Sequence, residues 1–193
     1  LWLLWLSGRS IPGERAREAA SLGLFTAMGG MLLAASADLI TLYMALELST
    51  MPAYVLVGYR RGDVQGLEGA LKYFLMSMLT SLLMLYGFSF LYGLSGSTDL
   101  AEIAGFLGES GSLGLIAAVL ALVGVFAKLS AAPFHFWAPD AYAGAPAAAV
   151  AFVSTVPKLA GAAVLVRLGA MIAPGVPELA PLVAIVSAAS MLL

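Results

Sequence analysis

The sequence predicts an all-α, polytopic transmembrane helical bundle. Three observations carry this. Hydrophobic residues make up 62% of the chain and charged residues only 10%, whereas a soluble domain carries about 25% charged residues; mean hydropathy is +1.00. Several apolar runs reach the roughly 20 residues that a helix needs to cross the hydrocarbon core. Those runs lack the strict alternation that marks the strands of a membrane barrel.

Taken in order, the spans are predicted at 19–37, 39–59, 70–93, 113–143 and 145–169, between partial spans at about 1–6 and 179–193. The chain opens inside the apolar run Leu1–Leu6 and stops inside another, so both ends are expected to be cuts through membrane segments. The opening run has no basic region before it and no clean small-residue cleavage site after it, which argues against a signal peptide. Residues 1–193 therefore read as one transmembrane domain surrounded by the lipid bilayer. The 113–143 run is too long for one straight helix, and Pro133 lies within it. Proline removes an N–H donor and clashes with the carbonyl four residues earlier, here that of Leu129. A broken helix is predicted there, and broken helices at membrane depth line protein or water rather than lipid.

Arginine sets the orientation. Arg9, Arg15, Arg17, Arg60 and Arg61 fall on one side if the spans alternate. Asp38, Asp99, Glu102, Glu109 and Glu178 fall on the other. The basic side is expected to be cytoplasmic, which makes this a multi-pass inner-membrane protein. That side would hold the Gly62–Gly69 loop and the Asp140–Pro146 segment. The Ser95–Ser112 loop would face away from it, with a short helix at Leu100–Leu107.

Composition also excludes functions. With no cysteine, there are no disulfides, thiolate metal sites or iron–sulfur clusters. A single histidine, His135, cannot build a metal site alone. A net charge of −2 without a basic tract leaves nucleic acid without an electrostatic footprint.

The informative residues are the charges inside the spans. Glu47 sits mid-span, Lys72 near the start of its span, Lys128 before the predicted break and Lys158 mid-span. A charge at the bilayer centre costs about 2.5–3.5 kcal/mol on insertion scales. Four central charges would cost on the order of 10 kcal/mol, comparable to the net stability of a domain. Pairing, hydration or neutralisation must offset that. Lys72 is open to either reading, a functional charge or a snorkelling one within reach of an interface, whereas Arg167 near a span end reads as a snorkelling anchor. Glu47, Lys128 and Lys158 read as functional, since intramembrane ionisable groups mark ion pathways.

Pro52, Pro133 and Pro157 lie beside Glu47, Lys128 and Lys158, and each frees a carbonyl that attracts water or a lysine donor. His135 follows Pro133 between two phenylalanines. It is either a hydrogen-bonded core residue or a proton shuttle, because imidazole titrates near neutral pH. Ser77, Thr80 and Ser81 could hold water or simply pack helices. Desolvation makes a lysine release its proton readily, and a nearby carboxylate restores its affinity. A row of Glu, Lys, Lys and His can thus pass protons without a cofactor.

The stretch Met44-Ala-Leu-Glu-Leu-Ser-Thr-Met-Pro-Ala-Tyr, then Ala70-Leu-Lys-Tyr-Phe and Asp99-Leu-Ala-Glu-Ile-Ala, resembles the subunit N family of bacterial NADH:quinone oxidoreductase, respiratory complex I. The most specific piece is Phe126-Ala-Lys-Leu-Ser-Ala-Ala-Pro-Phe-His-Phe-Trp-Ala-Pro-Asp-Ala-Tyr-Ala-Gly-Ala-Pro, and Pro157-Lys-Leu-Ala completes it. The resemblance runs in order from about Asp38 to Arg167.

It implies an antiporter-like fold of about fourteen helices with two inverted repeats. This fragment would cover most of the first repeat, including its discontinuous helix. It implies that Glu47 and Lys72 form a charge pair setting proton affinity, that Lys128 is the central proton carrier, and that His135 and Lys158 pass protons onward. This membrane subunit of a proton-pumping oxidoreductase would contain no cofactor of its own. NADH, FMN, iron–sulfur clusters and the quinone would be handled by partner subunits, and other membrane subunits would adjoin it. The alternative is a subunit of a multisubunit cation/proton antiporter without redox activity. The family pattern Pro-Asp-Val-Tyr-Glu-Gly-Ala-Pro is altered here by Ala141 and Ala143, which removes an acid from that loop.

Overall fold

The computed structural model describes residues 13–60, 62–108 and 110–192. The partial span at 1–6, with Arg9, Arg61 and Glu109, lies outside the described residues. The described residues form α1 (Gly13–Ala35), α2 (Leu39–Val57), α3 (Val64–Ser95), α4 (Leu100–Leu107), α5 (Gly111–Leu129), α6 (Trp137–Gly144), α7 (Ala147–Val153), α8 (Val156–Ile172) and α9 (Leu179–Leu192). Among the described residues five stretches are long and apolar enough to cross a membrane: 15–35, 39–57, 64–95, 111–129 and 147–172.

Caps explain where the helices start. Asp38 accepts the Thr41 N–H at 2.8 Å, and Asp63 accepts the Gly66 N–H at 3.1 Å. Asp99 accepts the N–H groups of Ala101 and Glu102. Such carboxylates satisfy donors that the first helical turn leaves free. Hydrogen bonds from Thr41 hold the Asp38 carboxyl below its ordinary range. The Asp63 cap also explains why α3 begins at Val64, before the apolar run that starts at Ala70. At 32 residues and about 1.5 Å per residue, α3 exceeds the roughly 30 Å hydrocarbon core. It ends at Gly96, whose φ of 70° is the left-handed conformation that closes a helix.

The core lies between α2, α3, α5 and α8, around Leu42, Met84, Leu122, Val125, Val164 and Leu168. Small residues let the backbones approach, as in other membrane bundles. A Cβ on Gly69 would lie 2.7 Å from the Asp140 carbonyl oxygen, so only glycine lets α3 meet α6 there.

The two rims are tied differently. At one, the Leu39 N–H donates to the Thr98 carbonyl at 2.9 Å and the Leu100 N–H to the Ala37 carbonyl at 3.0 Å. Arg167 reaches the Ala34 carbonyl on the same side at 3.1 Å. At the other, the Tyr59 hydroxyl donates to the Arg15 carbonyl at 3.0 Å, and the start of α3 meets α6 and the Asp140–Pro146 segment. The Gly62–Gly69 and Asp140–Pro146 segments therefore share a rim, as alternation of the spans requires.

Two spans are broken. The predicted break opens at Ser130, with φ 55°, and α6 resumes at Trp137. The Ser130 and Ala131 N–H groups close the end of α5 on Ala127 and Phe126, while Pro133 has no N–H to continue the ladder. The second break was not anticipated within the 145–169 run. It falls at Ser154–Thr155, between α7 and α8. Pro157 stands in the first turn of α8, where its missing N–H costs least. It therefore has none to give the Val153 carbonyl.

Candidate proton-path residues

Lys128 occupies the last turn of α5, directly before the Ser130 break, and is 5% exposed. Its Nζ has no hydrogen-bond partner among the described residues. Gly161 of α8 makes room for its stem: a Cβ there would lie 3.3 Å from Lys128 Cγ. Burying an ammonium without a partner is costly, so helix packing alone does not account for this lysine. Ser130 Oγ and His135 Nδ1 are also buried without partners among the described residues. The break thus gathers an amine, a hydroxyl and an imidazole, with the His135 ring centroid 4.3 Å from that of Phe136.

Glu47 lies on α2, and one of its carboxylate oxygens is buried without a partner among the described residues. It lines a cavity of about 410 Å³ between α2 and α3, walled by Met44, Met51, Tyr54, Phe74 and Met78.

Lys72 is placed differently from the charge pair expected with Glu47. Its Nζ lies 2.6 Å from Glu68 one turn earlier and 2.7 Å from Asp140 on α6. No ion pair between Glu47 and Lys72 forms among the described residues. The reason is position: Lys72 sits near the capped end of α3, where Asp140 in the first turn of α6 meets it.

Lys158 begins α8, just past the second break, with Nζ 5.4 Å from the centroid of the Tyr142 ring. Tyr142 touches Trp137 edge-on at 6.0 Å, and Trp137 stacks on Tyr73 at 3.9 Å. Trp137 Nε1 donates to the Ala127 carbonyl at 3.3 Å. Sequence reasoning singled out neither Asp140 nor Tyr142 as a site residue. Their signal was the Trp-Ala-Pro-Asp-Ala-Tyr stretch following the break. Among the described residues no three His, Asp or Glu side chains converge as a metal site would need.

Fold and site together define a polytopic membrane protein of the broken-helix class, with ionisable groups gathered at its breaks. The chain belongs to the NADH:quinone oxidoreductase/Mrp antiporter transmembrane family, whose sequence model matches residues 36–193. It is 44% identical over 161 residues to an NADH-quinone oxidoreductase subunit N of Sphingopyxis alaskensis, covering 83% of this chain and 34% of the relative. It is 42% identical over 167 residues to a subunit N of Rubrobacter xylanophilus, covering 86% and 34%. A chain of respiratory complex I from Thermus thermophilus, solved with bound aureothin, superposes with a TM-score of 0.67 at 43% identity, covering 76% of this chain and 33% of that one. A chain of the Mrp complex from Dietzia sp. DQ12-45-1b superposes at 0.70 with 22% identity, covering 88% and 33%, and shows the shared fold alone. The chain spans about a third of the length of the curated relatives it matches.

Proposed function

We propose that this chain is part of a proton-translocating membrane subunit of an NADH:quinone oxidoreductase. Residues 1–193 form a single transmembrane domain within that subunit. The observation that carries the reading is Lys128: a buried amine at a helix break, without a partner among the described residues, in a chain 42–44% identical to subunits N. In this reading Lys128 takes up and releases protons, and His135 and Lys158 pass them onward. Glu47 sets the affinity of Lys128 through its charge, and Lys72 acts from the rim through its acidic partners. Electron transfer, with NADH, FMN, iron–sulfur clusters and quinone, takes place in partner subunits, and further membrane subunits adjoin this one. The arginine-bearing rim faces the cytoplasm across the inner membrane.

The test is proton pumping by membrane vesicles carrying the full-length protein with Lys128→Met, supplied with NADH and quinone. Pumping is expected to collapse while the complex still assembles. Pumping at the wild-type level would make the lysine structural and defeat the mechanism. The antiporter reading rests on the fold shared with the Mrp chain. Exchange of sodium for protons without NADH or quinone would establish it instead.

A further inference from the structure

We infer that Tyr142 is a positioning residue for Lys158, its ring forming the seat on which the ammonium rests whenever that lysine holds a proton. The inference builds on the reading of Lys158 as a proton-carrying group. Three observations carry it. Lys158 Nζ stands 5.4 Å from the centroid of the Tyr142 ring, within the about 6 Å over which an aromatic face attracts a cation. No carboxylate pairs with Lys158 among the described residues, since the ion pairs there join Arg60 to Asp63 and Lys72 to Glu68 and Asp140. And the Tyr142 hydroxyl is buried without a hydrogen-bond partner among the described residues. A phenol buried without a partner is costly, so hydrogen bonding by its oxygen does not explain the tyrosine.

The position of Lys158 makes such a seat necessary. It stands in the first turn of α8, where the helix dipole repels a cation. The ring face supplies the opposing attraction. The seat is also held in place. Trp137 touches the Tyr142 ring edge-on, stacks on Tyr73 of α3 and donates its indole N–H to the Ala127 carbonyl. Ala127 immediately precedes Lys128, so the aromatic group bridges the ends of the two lysine-bearing helices. It fixes where the Lys158 proton sits relative to the α5 break.

The test replaces Tyr142 in the full-length protein within the assembled complex and measures NADH-driven proton pumping in vesicles. Tyr142→Phe keeps the ring and is expected to pump near the wild-type rate. Tyr142→Leu removes the face and is expected to lose about tenfold. Because Tyr142→Leu could also disturb packing, a second series places phenylalanines with increasing numbers of ring fluorines at position 142. Fluorine drains charge from the ring face with little change of shape, so pumping should fall stepwise with each addition. A flat fluorine series, with Lys158→Met inactive, overturns the inference and leaves the proton-path reading standing. Wild-type pumping by Lys158→Met overturns that reading of Lys158, and the role of Tyr142 falls with it.

Discussion

Lys72 and Lys128 place the same side chain in opposite settings. Lys72 stands at the rim of α3, its side chain 44% exposed, with two carboxylates within 2.7 Å. Lys128 stands inside the bundle with no hydrogen-bond partner among the described residues. A lysine held by two acids stays charged and fastens two helices, whereas a lysine shielded from water and short of partners can change its protonation with small changes nearby. Number of charges is therefore a poor guide to a proton path, and what matters is which of them are left unsatisfied.

The largest expected effect separates the two lysines outright. Lys128→Met should reduce pumping by more than tenfold with the complex assembled. Lys72→Met should leave a measurable fraction, because its partners lie at the rim. The same Lys128→Met change should raise thermal stability by roughly 1–3 kcal/mol, since it replaces a buried amine that lacks a partner with an apolar side chain; a calorimetric scan of the purified complex would show the gain, and a loss there would mean that the lysine has a partner in the assembled protein.

Next come the glycines that flank the two settings. Gly69→Ala sets a Cβ 2.7 Å from the Asp140 carbonyl oxygen, so α3 and α6 must part; about 2 kcal/mol of stability should go. Gly161→Ala meets side-chain carbons, Lys128 Cγ at 3.3 Å and Leu129 Cδ2 at 3.4 Å. Its cost in stability should stay under about 1 kcal/mol, yet it moves the lysine. Pumping, read in vesicles, should then drop more than the melting temperature does. Equal effects of both substitutions on stability would blur the contrast between a backbone contact and a side-chain contact.

Asp140→Asn removes one of two partners of Lys72 and should weaken pumping only in part, with Glu68 retaining the amine. The smallest effect belongs to Asp38. Its carboxyl is held below the ordinary value by Thr41, so its contribution to stability is present above the unfolded value of about 3.9 and is lost as pH falls through the lower folded value. Asp38→Ala should destabilise by about 1 kcal/mol near neutral pH. That difference should shrink to nothing in strong acid, as melting curves across pH would show.

Much of this was legible in the linear sequence because hydropathy, proline and charge act locally. The five crossing stretches, the short helix at Leu100–Leu107 and the break before Pro133 all followed from runs of neighbours. So did the interior position of Lys128, which lies in the most apolar span. What the sequence could not show depends on which helices meet. The partner of Lys72 is Asp140, 68 residues away, and no periodicity encodes that pairing. The stack of Tyr73, Trp137 and Tyr142 joins separate helices for the same reason. The Ser154–Thr155 break was missed because Pro157 reads equally well as a kink within one helix or as the opening of a new one.

The crossed pair of bonds between Ala37–Leu39 and Thr98–Leu100 has a different kind of consequence. These bonds are made by main-chain atoms, so they do not depend on which side chains occupy Ala37 and Thr98. Evolution can rewrite those two positions freely and keep the loops fastened. A proline at position 39 or 100 is the exception, because it deletes the donor itself. Positions 37 and 98 are therefore places where sequence can drift while geometry stays put.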